Sequence, residues 1–227
     1  MDPIINLMAV FLGAMLALGT TYFFEKRQVH QRELGVAYSL IFKIQYLVDQ
    51  IVKMDNGIGL QIRNARQSGF SGGAWQIITD FVGFKEPSES IFADELALIA
   101  RTKDVELVTK VRELESGHSI LLNSLSKICE LRVKLSEAGV GHFVDGRTVS
   151  YAISEDELPA IAPIIINLDD LSASFESMIP RIAQQARETA GKIGGHLKSH
   201  YKFQHFISLS FPSVDQEIPD VQVGGED

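Results

Sequence analysis

Apolar residues open the chain in a run that no charge interrupts. Residues 4–24 contain no charged side chain, and Glu25, Lys26 and Arg27 follow directly. At about 1.5 Å per residue, a helix of this length spans a hydrocarbon core of roughly 30 Å. The pattern predicts a retained transmembrane anchor over residues 1–24. A signal peptide is the competing interpretation. However, a signal peptide has basic residues before its apolar core, and no Lys or Arg precedes this run.

The residues that close this run predict its place and orientation in the membrane. Tyr22, Phe23 and Phe24 form an aromatic group that suits the membrane interface. Lys26 and Arg27 lie just after the span, and no basic side chain lies before it. The positive-inside rule therefore puts the N-terminus outside and the rest of the chain in the cytoplasm. A bacterial inner membrane is the expected location.

A row of small residues in the anchor predicts association between helices. Ala9, Gly13, Ala17 and Thr21 recur at every fourth position. Small side chains at this spacing let two helix backbones approach closely in lipid. The alternative is a groove that only faces lipid, because a span rich in Ala and Gly produces the same spacing by chance.

Beyond the anchor, apolar residues recur at alternating steps of three and four. This heptad spacing is typical of a helix that packs on other helices or forms a coiled coil. It predicts that the first helix runs from the membrane to about Met54, where Asp55-Asn56-Gly57 ends it. A glycine-rich loop is then predicted for residues 55–90. The stripe consists of Leu34, Ala37, Ile41, Ile44, Val48 and Ile51.

The same spacing predicts two further long helices. Asp104 is a good N-cap for a helix that reaches about Ala138. Ser154 and Glu157 form a capping box at the start of the third helix, in which Pro163 predicts a kink or a restart. The stripe of the second long helix contains Leu107, Val111, Leu114, His118, Leu121, Leu125, Ile128, Arg132 and Leu135.

Two shorter segments differ from this pattern. Residues 142–153 predict a β-hairpin, because Asp145-Gly146 suits a two-residue turn and its flanks are β-branched and aromatic. If the helix from Asp104 returns antiparallel to the first helix, this hairpin lies nearer the membrane than Asp55 does. Residues 204–227 carry acidic side chains and no Lys or Arg, which predicts a disordered acidic tail.

The predicted fold class is mainly α. It combines an N-terminal single-pass transmembrane helix with a cytosolic long-helix bundle over residues 25–203 and one small β-hairpin. The 227 residues are 45% hydrophobic and 22% charged, which is typical of a globular chain. A net charge of −8 argues against a nucleic-acid partner, because phosphate binding needs a basic patch. The single cysteine, Cys129, cannot form an intrachain disulfide.

Motifs for catalysis or metal binding are incomplete in this sequence. Residues 69–73 match the nucleophile elbow G-x-S-x-G around Ser71, but no buried strand precedes them. His196 and His200 have the spacing of two metal ligands on one helix face, but a complete ligand set is missing. We therefore assign no catalytic, cofactor-binding or metal-binding residue, and we do not expect an enzyme.

The leading function expected from the sequence is a membrane-tethered scaffold that presents a cytosolic helical bundle to protein partners. The expected partners are membrane lipid and either another protein or a second copy of the chain. The alternative is a signalling or regulatory module that senses a ligand through the hairpin or the glycine-rich loop. A hydrolase that uses Ser71 is the third possibility.

Overall fold

Three long helices make up most of the molecule. The structure, a computed structural model, describes residues 3–78, 90–138, 142–145, 148–151 and 155–201, and only the backbone of residues 3–7, 9, 142–145 and 148–151. The elements are α1 (Pro3–Met54), a π-turn (Asp55–Gly59), α2 (Leu60–Gln67), a 3-10 turn (Ala74–Gln76), α3 (Ala93–Ala100), α4 (Val105–Glu137), β1 (His142–Asp145), β2 (Thr148–Tyr151) and α5 (Leu158–Tyr201). The prediction of a mainly helical bundle is confirmed.

The core of the bundle lies where α1, α4 and α5 meet. The apolar stripe of α1 is buried from Ala37 onward and continues through Met54 and Ile58 to Ile62. The stripes of α4 and α5 face it, because apolar residues three and four apart share one side of a helix. The short α3 packs against both α1 and α4. The heptad positions of the sequence therefore supply the core.

Helix α1 ends at Met54, as predicted, but Asp55-Asn56-Gly57 does not break the helical course, because the π-turn leads directly into α2. The backbone N–H of Leu60 donates to the carbonyl of Asp55, five residues back, as in a π-helix. A Cβ on Gly59 would lie only 2.6 Å from Oδ1 of Asp55, so glycine makes room for that carboxylate. Asp55 is buried and is paired with Arg63 at 2.8 Å. The glycine-rich segment thus begins at Ser68, and residues 79–89 of the predicted loop lie outside the described residues.

The predicted start of α4 is confirmed, and of the kink or restart predicted at Pro163 the restart does not occur. The side chain of Asp104 accepts a hydrogen bond from the N–H of Leu107, which is the expected N-cap. Helix α5 continues through Pro163 and Pro180 without interruption. A proline costs one helical hydrogen bond, but buried side chains on both sides of Pro163 hold this helix against the bundle.

Helix α4 runs parallel to α1, contrary to the expected antiparallel return. At one end, Arg101 bonds to Glu33 at 2.6 Å, just before α4 begins. At the other end, Arg132 of α4 donates to the carbonyl of Ile78, which follows α2. The carbonyl of Ser90 accepts from Lys43 of α1, so α3 and the start of α4 lie beside the first residues of α1 that enter the bundle. The strands β1 and β2 therefore lie at the far end from Glu33.

The two strands pair antiparallel, with Asp145 opposite Thr148. Two residues, 146 and 147, separate the strands, and they lie outside the described residues. The predicted turn dipeptide, Asp145-Gly146, begins one residue earlier than this separating pair.

A buried carboxylate, Glu95, fastens α3 to α1. It accepts hydrogen bonds from the Ser39 hydroxyl at 2.6 Å, the Lys43 ammonium at 3.0 Å and the Phe92 N–H at 2.7 Å. Its side chain is 3% exposed and that of Lys43 is 14% exposed. Glu95 thus caps its own helix and compensates a cation on the neighbouring one.

Glu95→Ala should lower the stability of the full chain by about 3 kcal/mol, because it leaves a largely buried ammonium uncompensated. Far-UV circular dichroism during denaturation in mild detergent measures this change. The matched control is Glu130→Ala, which removes an exposed carboxylate held by two lysines and should change little. Adding Lys43→Ala to Glu95→Ala should recover part of the loss. A double variant that is less stable than the single variant would contradict this interpretation.

Candidate functional site

The N-terminal part of α1 projects from the bundle with its apolar side chains uncovered. Every side chain described between Met8 and Arg32 is exposed. Val10, for example, is 73% exposed and Phe23 is 76% exposed. Exposed apolar surfaces of this extent mark sites that contact a membrane or another protein. The exposed segment meets the bundle at Glu33 and Leu34, which are both partly buried.

Among the described residues, Leu158–Tyr201 is the one helix whose length and composition would allow a membrane span. It lies at the C-terminal end of the described chain, whereas the sequence places the span at residues 4–24. One side of this helix packs into the bundle through Leu168 and Phe175. Its outer side exposes Asp169 and Asp170, which is the amphipathic arrangement of a bundle helix.

The row of small residues lies on the projecting segment. A Cβ added at Gly13 would have no atom within 4 Å, so the row faces open space along the single chain. The Thr21 hydroxyl donates to the carbonyl of Ala17 at 2.9 Å, which satisfies it within the helix. The side chain of Ala9 lies outside the described residues.

The predicted interface residues follow on the same projecting helix. Tyr22, Phe23 and Phe24 are at least 64% exposed, and Lys26 and Arg27 are also exposed. The exposed aromatic group therefore ends two residues before the first basic side chain. This order along the helix is the one that an interface between hydrocarbon and headgroups favours.

The segment around Ser71 is bound to α5 and has no strand before it. Arg66 of α2 holds Glu176 through two hydrogen bonds and also donates to the carbonyls of Phe70 and Gly72. The hydrogen bond to Glu176 raises the pKa of Arg66. The indole of Trp75 donates to Asp169 at 2.7 Å.

These contacts attach the glycine-rich segment to α5. Ser71 itself is exposed and follows a helix, so the nucleophile elbow lacks the buried strand that it requires. The geometry gives no support to a hydrolase that uses this serine.

Sequence reasoning missed a contact between Thr102, Asp104 and His196. Nε2 of His196 lies 2.7 Å from the Thr102 hydroxyl, and Nδ1 lies 3.7 Å from Asp104. The order of groups is that of a hydroxyl, an imidazole and a carboxylate in a hydrolase. However, the Thr102 hydroxyl donates to the carbonyl of Ile99 at 2.6 Å. The imidazole must then donate to Thr102 and cannot take its proton, so the contact ties α5 to the α3–α4 turn.

His196 and His200 have the spacing of two metal ligands, but their rings contact different partners. His196 faces Thr102, and the ring of His200 lies edge-on to Tyr201 at 4.9 Å. In the described part of the chain, no group of three or more His, Cys, Asp or Glu residues is arranged to hold a metal ion. Sequence spacing alone could not show this, because the partners of His196 lie more than 90 residues away.

The grooves on the bundle are open and lined by mixed side chains. One of about 260 Å³ between α4 and α5 is lined by Lys110, Glu113 and Glu188 together with apolar residues. Another, of about 340 Å³ between α1 and α3, is lined by Arg32, Arg101 and Val29 among others. Ligand pockets are usually enclosed and mainly apolar, with few polar groups. These grooves therefore do not favour a small-molecule site.

Comparison of the chain with protein-family models, with curated proteins and with solved structures gives no match.

Proposed function

We propose that this protein is a single-pass, membrane-tethered helical scaffold that presents its bundle to protein partners. One observation carries the proposal: a single helix, α1, is exposed and apolar in its first part and supplies the bundle core in its second. Met15 is 58% exposed, whereas Leu40 and Ile44 are fully buried on the same helix. The exposed part can bury its apolar surface in a bilayer, and the buried part then fixes the bundle to it.

The tether itself can be tested by fractionation of cells that express the full chain. The protein should sediment with membranes and resist extraction by salt and alkali, because an apolar helix is held by the hydrophobic effect. Replacing Leu12 and Leu16 with Asp should release it into the soluble fraction. Replacing Asn167 and Asp170 with Leu, on exposed positions of α5, is the converse control and should not alter fractionation. A chain that remains in membranes after the first change would contradict an N-terminal tether.

The scaffold role requires that other proteins bind the bundle. Purification of the full chain in mild detergent should retain partner proteins or a second copy of the chain. A protein that purifies alone and as a monomer would contradict this role. It would leave the tether in place without a function for it.

A regulatory module is the second candidate, and the π-turn favours it. Such turns are frequent at functional sites, and this one contains Asp55, which is paired with Arg63 and lies 3.7 Å from Arg187 of α5. A partner that changed this pairing could shift α1 against α5. The glycine-rich segment, which the sequence offered as a sensor, is instead held to α5 by Arg66 and Trp75.

We further propose that the bundle lies in the cytoplasm and the N-terminus outside, in a bacterial inner membrane. Cysteine labelling tests this in a Cys129→Ser background. A reagent that does not cross membranes should label Asp2→Cys on intact cells and should label Ser136→Cys only after lysis. The reason is that Lys26 and Arg27 hold the chain that follows the span in the cytoplasm. Replacing both bases with Glu should weaken this preference. Labelling of position 136 on intact cells would show the opposite topology.

Self-association through the row of small residues is the final proposal about the anchor. Gly13→Ile should lower dimer content in a membrane association assay, because a large side chain keeps the backbones apart. Gly19→Ile is a matched control: it makes the same change at a glycine that also has no atom within 4 Å, and it lies across the helix from Ala17 and Thr21. Equal dimer content in both variants would leave the row without a role in association.

A further inference from the structure

After the anchor, one side of α1 is left uncovered by the bundle. Phe42 is 61% exposed, whereas Leu40 and Ile44, two residues before and after it, are fully buried. Successive residues of an α-helix are turned by about 100°, so Phe42 points away from the core. We call this side the outer face of α1. Its residues lie within about 40° of the direction of Phe42 and are exposed or partly buried; they are Gln28, Gln31, Gly35, Tyr38, Phe42 and Tyr46.

The composition of the outer face differs from that of a helix side in water. It contains no charged side chain, and it exposes the aromatic rings of Phe42 and Tyr46. By contrast, the exposed side of α4 carries ion pairs along the helix, in which Glu130 binds Lys127 and Lys134. The centre of a protein interface is depleted of charge and enriched in aromatic residues. The outer face therefore has the composition of a protein contact.

The outer face continues the row of small residues in the anchor. Helix α1 is unbroken from Pro3 to Met54. Gly13 and Phe42 are 29 residues apart, which is roughly 20° more than eight full turns. A Cβ added at Gly35, as at Gly13, would have no atom within 4 Å. A partner helix that packs on Gly13 therefore meets Phe42 on the same side of α1.

The spacing along this side favours one continuous contact. A repeat of eleven residues joins Gly13, Phe24, Gly35 and Tyr46. Two helices that pack along such a repeat wind slowly around each other with a right hand. Pairs of helices that meet through small residues in lipid commonly have the same hand. One geometry of pairing can therefore serve both the anchor and the outer face.

We propose that a second copy of the chain covers the outer face of α1, in a parallel dimer whose contact runs from the anchor along the bundle. This dimer rests on the proposed tether and anchor pairing, and it specifies the partner as a second copy. In a symmetric parallel pair each residue meets its equivalent, so an uncharged face meets itself without repulsion. The uncharged face ends at Asp49, which pairs with Lys53 of the same helix at 2.9 Å.

The anchor also explains how a face of this size can hold a partner. From Gln28 to Tyr46 it is about 27 Å long. Paired anchors bring two outer faces together, which makes the second contact effectively intramolecular and raises the local concentration of each face. The contact beyond the membrane then adds to the pairing within it.

Cysteine crosslinking of the full chain in phosphatidylcholine vesicles tests this proposal. In a Cys129→Ser background, Gly35→Cys or Phe42→Cys is oxidised with copper phenanthroline, which joins two chains where their equivalent positions meet. Both variants should give a covalent dimer. The matched control is Ile120→Cys, which also replaces an exposed apolar side chain, 45% exposed on α4, and should remain a monomer.

A charge on the outer face separates a specific contact from collisions in the membrane. Phe42→Glu should remove most of the crosslinking at Gly35→Cys, because two like charges then meet in the dimer. Phe42 is exposed in the single chain, so this change leaves the bundle folded. Ile120→Glu makes the same change in charge at an exposed apolar residue of α4 and should preserve the crosslinking.

Several results would overturn the proposal. Equal yields at positions 42 and 120 would do so, as would crosslinking at position 35 that survives Phe42→Glu. A chain whose dimer content falls with Gly13→Ile, but which gives no crosslink at positions 35 and 42, would confine the pairing to the anchor. A chain that does not float with the vesicles would show that the tether is wrong and would overturn this dimer with it.

Discussion

The structure depends on one helix whose two parts bury apolar side chains in different places. Before Phe24, apolar residues surround α1 on every side, which no soluble helix of a small bundle can accommodate. After Leu34, they occupy one stripe, and α3, α4 and α5 cover it. Between these parts, from Phe24 to Leu34, the helix has no glycine and no proline. The direction of the first part therefore sets the direction of the whole bundle.

Buried charges fix how the other helices are placed against this one. Glu95 binds Ser39 and Lys43 while it caps α3, so α3 cannot slide along α1 without leaving a charge uncompensated. Asp55 fixes the position of α5 in a similar way. It lies in the π-turn and is paired with Arg63 of α2, and Arg187 of α5 lies 3.7 Å from it. Such pairs add little net stability, but the large cost of breaking them favours one register.

The two arrangements that resemble catalytic sites lose that meaning for different physical reasons. Ser71 has the right sequence neighbours, but it follows a helix and is exposed. The second arrangement, of Thr102, Asp104 and His196, has the right order in space. However, the Thr102 hydroxyl donates its hydrogen bond to the carbonyl of Ile99 and not to the imidazole. In both places the contacts serve to hold α5 against the rest of the bundle. Both sets of contacts therefore have a structural role in the bundle.

The sequence by itself determined what depends on neighbouring residues. Heptad spacing gave the three long helices and their core positions, and Asp104 gave the start of α4, because periodicity and capping are local. Tertiary structure decided the rest. Burial of Asp55 kept the chain helical through Gly57 and Gly59, and packing on both sides of Pro163 kept α5 continuous. The parallel course of α4 and the contact of the α3–α4 turn with the end of α5 depend on contacts between residues up to about a hundred positions apart, which no local pattern records.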